Sequence, residues 1–217
     1  MSAGRRGDAE GPRLLRTVRS GTGSTGTWLR GRPGTAPGQG LGPHPVKRIL
    51  VAGISGAGKT TMAQAVAARL HLPFHEMDSL KYTGPDWATG PDFVEQVAAI
   101  AARPGWIIDS LGYPEVRDLL WEHADTVIWL DYTRAVVMPR VLRRSLRRTL
   151  FRERIFGGNV ETVSDWFRRD HPAWWAWSQH AARRAEIERR SRDPRFAPLN
   201  VLRFPSPRSA EEWLRQV

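Results

Sequence analysis

The octapeptide Gly53-Ile54-Ser55-Gly56-Ala57-Gly58-Lys59-Thr60 constrains this chain more than any other feature. It fits G-x4-G-K-[ST] at every required position. The apolar run Arg48-Ile49-Leu50-Val51-Ala52 leads into it and reads as a buried parallel strand. Lys59 to Leu70 follows with alanines and apolar residues at helical spacing. The glycines let the backbone curl so that successive N–H groups point inward and cradle phosphate oxygens. The helix beginning near Lys59 adds the positive end of its dipole. Gly53, Ser55, Gly56, Ala57, Gly58, Lys59, Thr60 and Thr61 are therefore the expected nucleotide cradle. Lys59 would reach the β- and γ-phosphates of ATP, and the Thr60 hydroxyl would join the shell of a Mg2+ ion. A chance glycine turn before a helix is the weaker reading, because the full pattern falls in its proper strand–helix context.

The rest of the chain repeats the strand–helix alternation. Leu72–His75 reads as a second strand and Phe93–Ala102 as a helix stopped by Pro104-Gly105. Trp106–Asp109 is a third strand, Val116–Glu122 a helix and Thr126–Asp131 a fourth strand. Ala135–Phe151 is a basic helix, with Pro139 expected in its first turn. Residues 152–161 read as a loop and 162–191 as a helix interrupted near Pro172. A fifth strand, Asn200–Phe204, and a last helix, Ser209–Gln216, complete the pattern. Short apolar strands joined by helical crossovers predict an α/β, three-layer fold with a parallel sheet covered on both faces.

Composition separates this region from what precedes it. The 217 residues suit one domain with an appendage. Residues 1–46 hold 11 of the 20 glycines and 5 of the 16 prolines, with few large apolar side chains. Such a stretch cannot bury enough surface to offset the entropy of ordering, so it is expected to be a disordered basic tail ahead of a domain at 47–217. Of the net charge of +11, the first 47 residues carry 8 basic and 2 acidic groups. Only Lys47, Lys59 and Lys81 are lysines, and so general an arginine bias is a poor signal of nucleic-acid binding. The absence of cysteine excludes disulfides, thiolate metal sites and cysteine nucleophiles. No apolar run approaches the roughly 18 residues of a membrane span. The arginine-rich start has no apolar core of a secretory signal, so a cytoplasmic protein is expected.

A phosphate loop serves many reactions. No Asn-Lys-x-Asp base-reading segment marks a GTPase, and an AAA-type or transport ATPase would need a longer chain with further motifs. The layout favours a phosphotransferase acting on a small acceptor. Ligands in such sheets bind beyond the carboxyl ends of the strands, where three aspartates fall. Asp109 ends the third strand and is expected to help hold Mg2+. Asp78 follows the second strand and could orient or deprotonate an acceptor hydroxyl. Asp131 reads as structural, with Asp131-Tyr132-Thr133 as the cap of the following helix. His71 and His75 have no second ligand at metal spacing.

Residues 134–154 contain eight arginines and one acid, Glu153. Arg140, Arg144 and Arg147 recur at i, i+4 and i+7 on one face, with Arg143 on the same broad side. Guanidinium groups clamp phosphate in two-pronged fashion, so this helix and the loop after it, about 148–162, read as a lid that brings Arg140 and Arg144 to the transferring phosphoryl group. The competing readings are a solvated face or a nucleic-acid surface. Trp166, Phe167, Trp174, Trp175 and Trp177 read as packing for the long helix. Trp87 lies in the loop where an acceptor would enter and is the better stacking candidate.

With these residues in hand, positions 48–217 resemble the adenylate-kinase-like P-loop kinases, and among them a bacterial subgroup labelled topology modulation proteins. The likeness rests on Gly53–Thr60, Asp78 with Trp87 downstream, Trp106-Ile107-Ile108-Asp109, Arg117, and Ala124-Asp125 before Val127-Ile128-Trp129-Leu130-Asp131. The Arg140/Arg144 helix and Gly158-Asn159 followed by Glu161 extend it. The resemblance implies a five-stranded sheet of order 2-3-1-4-5 with a mobile lid, ATP rather than GTP, and Arg117 in contact with acceptor or phosphate. The subgroup has Asp-Gly-Asn-Tyr where this chain reads Asp109-Ser110-Leu111-Gly112-Tyr113. The Asp-Gly-Phe-Pro-Arg segment and longer lid of true adenylate kinases are absent, which argues against AMP as acceptor. The alternative function is an ATP-binding switch or a nucleic-acid-associated P-loop protein without phosphoryl transfer.

Overall fold

A computed structural model describes residues 46–160, 162–167 and 171–217. The tail expected over 1–46 lies outside the described residues apart from Val46, as does Glu161. Strand β1 (Arg48–Gly53) shows why the sheet sits at the centre. Ile49 and Val51 join one apolar cluster while Leu50 and Ala52 join another, so both faces are covered and no polar alternation is tolerated.

The first cluster includes residues of α1 (Lys59–Leu70), α5 (Arg134–Phe151) and α7 (Pro207–Leu214). The second takes residues from α3 (Phe93–Ala101), α4 (Arg117–His123) and Met77 of α2 (Met77–Lys81). With β2 (Phe74–His75), β3 (Trp106–Ile108), β4 (Thr126–Leu130) and β7 (Asn200–Phe204), β1 forms a five-stranded sheet of order β2-β3-β1-β4-β7. Every pair in it is parallel. This is the expected order. The fifth strand is β7 in chain order because β5 (Arg154–Ile155) and β6 (Asn159–Val160) form an antiparallel hairpin where a plain loop was expected. Two-residue strands around Gly157-Gly158 leave no alternation for a sequence pattern to register.

Helix α6 (Pro172–Arg192) contributes Ala176 to one cluster and Ile187 to the other. It crosses the carboxyl end of β4, where the His180 ring Nε2 lies 2.8 Å from the Tyr132 carbonyl oxygen. Arg184 Nη2 stands 3.2 Å from Asp131 Oδ2 at the same place. Asp131 is not the cap of α5: that position is Thr133, without a side-chain bond. Its carboxylate, only 5% exposed, accepts instead from Arg203 Nε at 2.9 Å and Nη2 at 2.5 Å. Asp131→Ala would leave the Arg203 guanidinium half-buried and unmatched. It should lower unfolding free energy by about 3 kcal/mol, read as a shifted urea midpoint with unchanged slope. A loss below about 1 kcal/mol would mean that the pair contributes no more than a surface ion pair.

Pro139 is the sixth residue of α5, not a first-turn proline. It denies the Ala135 carbonyl its helical donor, and both residues are exposed, so water can take that role. Among the described residues no helix is long and apolar enough to cross a membrane.

Candidate active site

The loop from Gly53 to Thr60 stands at the carboxyl edge of β1, between its neighbours β3 and β4, where crevices form in open α/β sheets. Met62 N bonds to Gly58 O at 3.0 Å, so the helical ladder starts at the loop's last glycine and the first-turn N–H groups of α1 lack helical acceptors. Gly56 has φ +82, and a Cβ there would lie 2.4 Å from Val141 Cγ2 and 2.8 Å from Val137 O. Helix α5 is thus pressed against the curl of the loop. Gly56→Ala should destabilise the fold by about 2 kcal/mol and weaken nucleotide binding with it, as seen by thermal melting and titration.

Lys59 Nζ lies 3.4 Å from the Ile54 carbonyl. Burial lowers its pKa, the carboxylates of Asp78 and Asp109 oppose that shift, and the charges of Arg144 and Arg183 add to it. This one ammonium thus feels the charges of two acids and two arginines, Asp78 of α2, Asp109 just after β3, Arg144 of α5 and Arg183 of α6.

Asp109 directly follows β3 and is buried. Its Oδ2 accepts from Thr60 Oγ1 at 2.5 Å and its Oδ1 from Met77 N at 3.0 Å. A hydroxyl and a carboxylate at this spacing are hard oxygen donors of the kind Mg2+ prefers. Among the described residues no group of three or more His, Asp or Glu could hold a metal alone, so an ion here would share its shell with phosphates and water. Asp78 is the second residue of α2, a short helix that the sequence pattern did not suggest. Its Oδ1 accepts from the Tyr113 hydroxyl at 2.8 Å. Burial and the Asp78 charge push the Tyr113 phenol far up, which keeps it a donor.

The arginines divide. Arg144 Nη2 donates to Ser55 Oγ at 2.9 Å, and Arg140 Nη1 lies 4.0 Å from where a Gly58 Cβ would stand, so both reach the loop. Arg147 turns away to Glu153, at 3.0 Å. Arg117 donates to the Gly112 carbonyl at 3.0 Å and to Glu186 Oε1 at 3.1 Å, which ties it to α6. Arg183 of α6 was missed by sequence reasoning. Its guanidinium lies 5.2 Å over the Trp175 ring. Burial first and the neighbouring Arg117 second lower its pKa, against the pull of Glu186 and Tyr113. It is thus a partly desolvated cation that interacts electrostatically with both Lys59 and Tyr113.

Beyond Asp78 the wall is aromatic. Tyr82 meets Trp87 edge-on at 5.6 Å and Tyr113 at 6.2 Å, and Trp87 is tilted against Phe156 at 6.4 Å. Trp87 is 43% exposed in the segment where acceptor stacking was expected. The tryptophans of α6 do not all pack it down as expected: Trp174 and Trp177 are 56% and 51% exposed.

Fold and loop together define an α/β P-loop protein with a five-stranded parallel sheet. The model of the ATPase family associated with various cellular activities (AAA) matches residues 49–147, the stretch from β1 into α5. The ATP-dependent zinc metalloprotease FtsH of Aquifex aeolicus (strain VF5) is 33% identical over 105 residues. That match covers 47% of this chain, which spans only 13% of the relative's length. Among solved structures, a sugar kinase from Janibacter sp. HTCC2649 is 23% identical, over 79% of this chain and 92% of that one, with a TM-score of 0.46. A shikimate kinase from Acinetobacter baumannii, in complex with shikimate, is 16% identical over 79% and 90%, with a TM-score of 0.43.

Proposed function

We propose that the protein is an ATP-dependent phosphotransferase of the adenylate-kinase-like type, of which topology modulation proteins are the subgroup it resembles, passing the γ-phosphoryl of Mg-ATP to a small hydroxyl or phosphate acceptor. The observation that carries this is what gathers around the phosphate loop: Asp109 on Thr60 at 2.5 Å, Arg144 on Ser55 at 2.9 Å, and Asp78 held by Tyr113 at 2.8 Å. A binding switch needs the phosphate loop and a segment that responds to the γ-phosphate, but no acceptor-side base. A carboxylate held by a tyrosine beside that loop is what a reaction with a second substrate needs.

In this reading the loop amides and Lys59 bind the β- and γ-phosphates. Thr60 and Asp109 would hold Mg2+, which when bound offsets charge on the phosphate oxygens. The acceptor lies between Asp78, Arg117 and the Tyr82–Trp87 wall. As an acceptor hydroxyl oxygen bonds to the γ-phosphorus, its proton passes to Asp78 and the bond to the β–γ bridging oxygen breaks, leaving ADP. A phosphate acceptor needs no such base. Arg140, Arg144 and Arg183 match the charge spread over the transferring group, and the β5–β6 segment acts as the lid that excludes water.

Full-length protein should consume Mg-ATP fastest with one member of a panel of nucleoside monophosphates, nucleosides, sugar acids and small alcohols. ATP binding without stimulation by any acceptor would favour the switch. A further consequence concerns protons. Lys59 begins with a lowered pKa, and a triphosphate beside it raises that value, so at alkaline pH binding must take up a proton. Calorimetry in two buffers of different ionisation enthalpy should show this uptake, and Lys59→Ala should abolish it.

A further inference from the structure

The β5–β6 hairpin is fastened to the acceptor-side loop at one buried side chain. Asn159 is 8% exposed although it begins a two-residue strand. Its Oδ1 accepts from the backbone N–H of Trp87 at 3.2 Å. Its Nδ2 donates to the carbonyl of Gly84 at 3.1 Å and to that of Phe156 at 2.5 Å. One amide thus bonds both ends of the segment Gly84–Trp87 and the turn of its own hairpin. Gly157 closes the same contact. At φ +69, a Cβ on it would lie 2.6 Å from Gly84 O and 2.9 Å from Gly84 N.

The loop being held does not rest in a relaxed conformation. Asp86 and Trp87 have φ of 55 and 60, two successive non-glycine residues in the left-handed region. Such backbone persists where its surroundings over-determine it. Asn159 and Gly157 supply part of that determination. The consequence runs inward. The Trp87 ring bears on Tyr82, whose hydroxyl lies 3.4 Å from that of Tyr113, and Tyr113 holds Asp78.

We propose that Asn159 is a positioning residue that locks the β5–β6 hairpin to the Gly84–Trp87 loop, so that the two open and close as one unit and Trp87 is held against the acceptor side of the site. The kinetic consequence rests on the phosphotransferase reading; the lock itself does not. Asn159→Ala removes the acceptor of the Trp87 amide and both donors from the hairpin side. Hydrogen exchange on the full chain should then rise together across 84–88 and 154–160, by about tenfold or more, with β1 and α1 unchanged. Gly157→Ala wedges open the same contact without touching Asn159 and should give the same paired rise. Asn159→Asp keeps an acceptor for Trp87 N but turns a carboxylate oxygen toward the Gly84 and Phe156 carbonyls, so its paired rise should be at least as large as that of Asn159→Ala. With the acceptor that supports turnover, Asn159→Ala should raise the acceptor KM about tenfold while the ATP KM moves less than about threefold. Faster exchange in the hairpin alone, with 84–88 still protected, would overturn the lock. Equal rises in both KM values would overturn its role in acceptor positioning. If no acceptor supports turnover, the phosphotransferase reading fails, while the exchange result still decides the lock.

Discussion

Lys59→Ala is expected to lower phosphoryl transfer by about a thousand-fold or more while leaving the protein folded. The expectation has two parts. The ammonium is the one lysine at the phosphate loop, desolvated and faced by Asp78 and Asp109, so no other side chain can deliver a mobile point charge to the same phosphates. Structurally, its one described hydrogen bond is to the Ile54 carbonyl at 3.4 Å, a weak tie. Stability should even improve slightly near neutral pH. A lysine whose folded pKa is lowered holds its proton at a cost that is fully present below that lowered value. That cost fades only as pH rises through the lowered value toward the ordinary lysine range. A thermal scan of Lys59→Ala at neutral pH should therefore match or exceed wild type, and a substantially lower melting temperature would mean that the side chain supports the fold. Wild-type turnover in this variant would refute the site.

Asp109→Asn should lower turnover by at least about a hundredfold and shift the Mg2+ dependence to higher concentration. The substitution keeps shape and burial. Asn can still accept from Met77 N through its oxygen, leaving its amide nitrogen toward Thr60 Oγ1, where the carboxylate had accepted. It removes the negative charge that would bind a divalent ion, and it also removes one of the two charges that oppose the lowering of the Lys59 pKa. Titrating turnover against Mg2+ separates the two effects. Recovery at high Mg2+ points to the metal, and loss at all concentrations with an alkaline-sensitive profile points to Lys59. Unchanged Mg2+ dependence together with wild-type turnover would remove Asp109 from the proposed metal site.

The parts of this site that lie in one local stretch could be read from the sequence. The strand, glycine loop and helix around Lys59 form a continuous segment, and their residue types carry the reason for their shape. The parallel sheet followed because strands buried on both faces read as short apolar runs, while its order came from the resemblance to P-loop kinases. What could not be read depends on how helices cross. Arg183, Arg184 and Arg190 belong to one arginine-rich helix and look alike in the chain. Only the path of α6 across the fold sends Arg184 to Asp131 and Arg190 to Asp118, and brings the Arg183 charge to bear on Lys59. Asp131 looked like a helix cap because its true partner, Arg203, lies in β7. Asn159 was visible as part of a motif, but its bonds to Gly84 and Trp87 span the gap between two loops far apart in sequence.

The most direct measurement follows the γ-phosphoryl itself. Full-length protein would be incubated with Mg2+ and ATP labelled at the γ-phosphorus, with each acceptor in turn, and the label traced. The proposed function predicts that label accumulates on one acceptor in step with ADP, and that Lys59→Ala stops both. Label appearing only as inorganic phosphate, at a rate indifferent to every acceptor, would contradict it and identify the protein as a nucleotide hydrolase or switch.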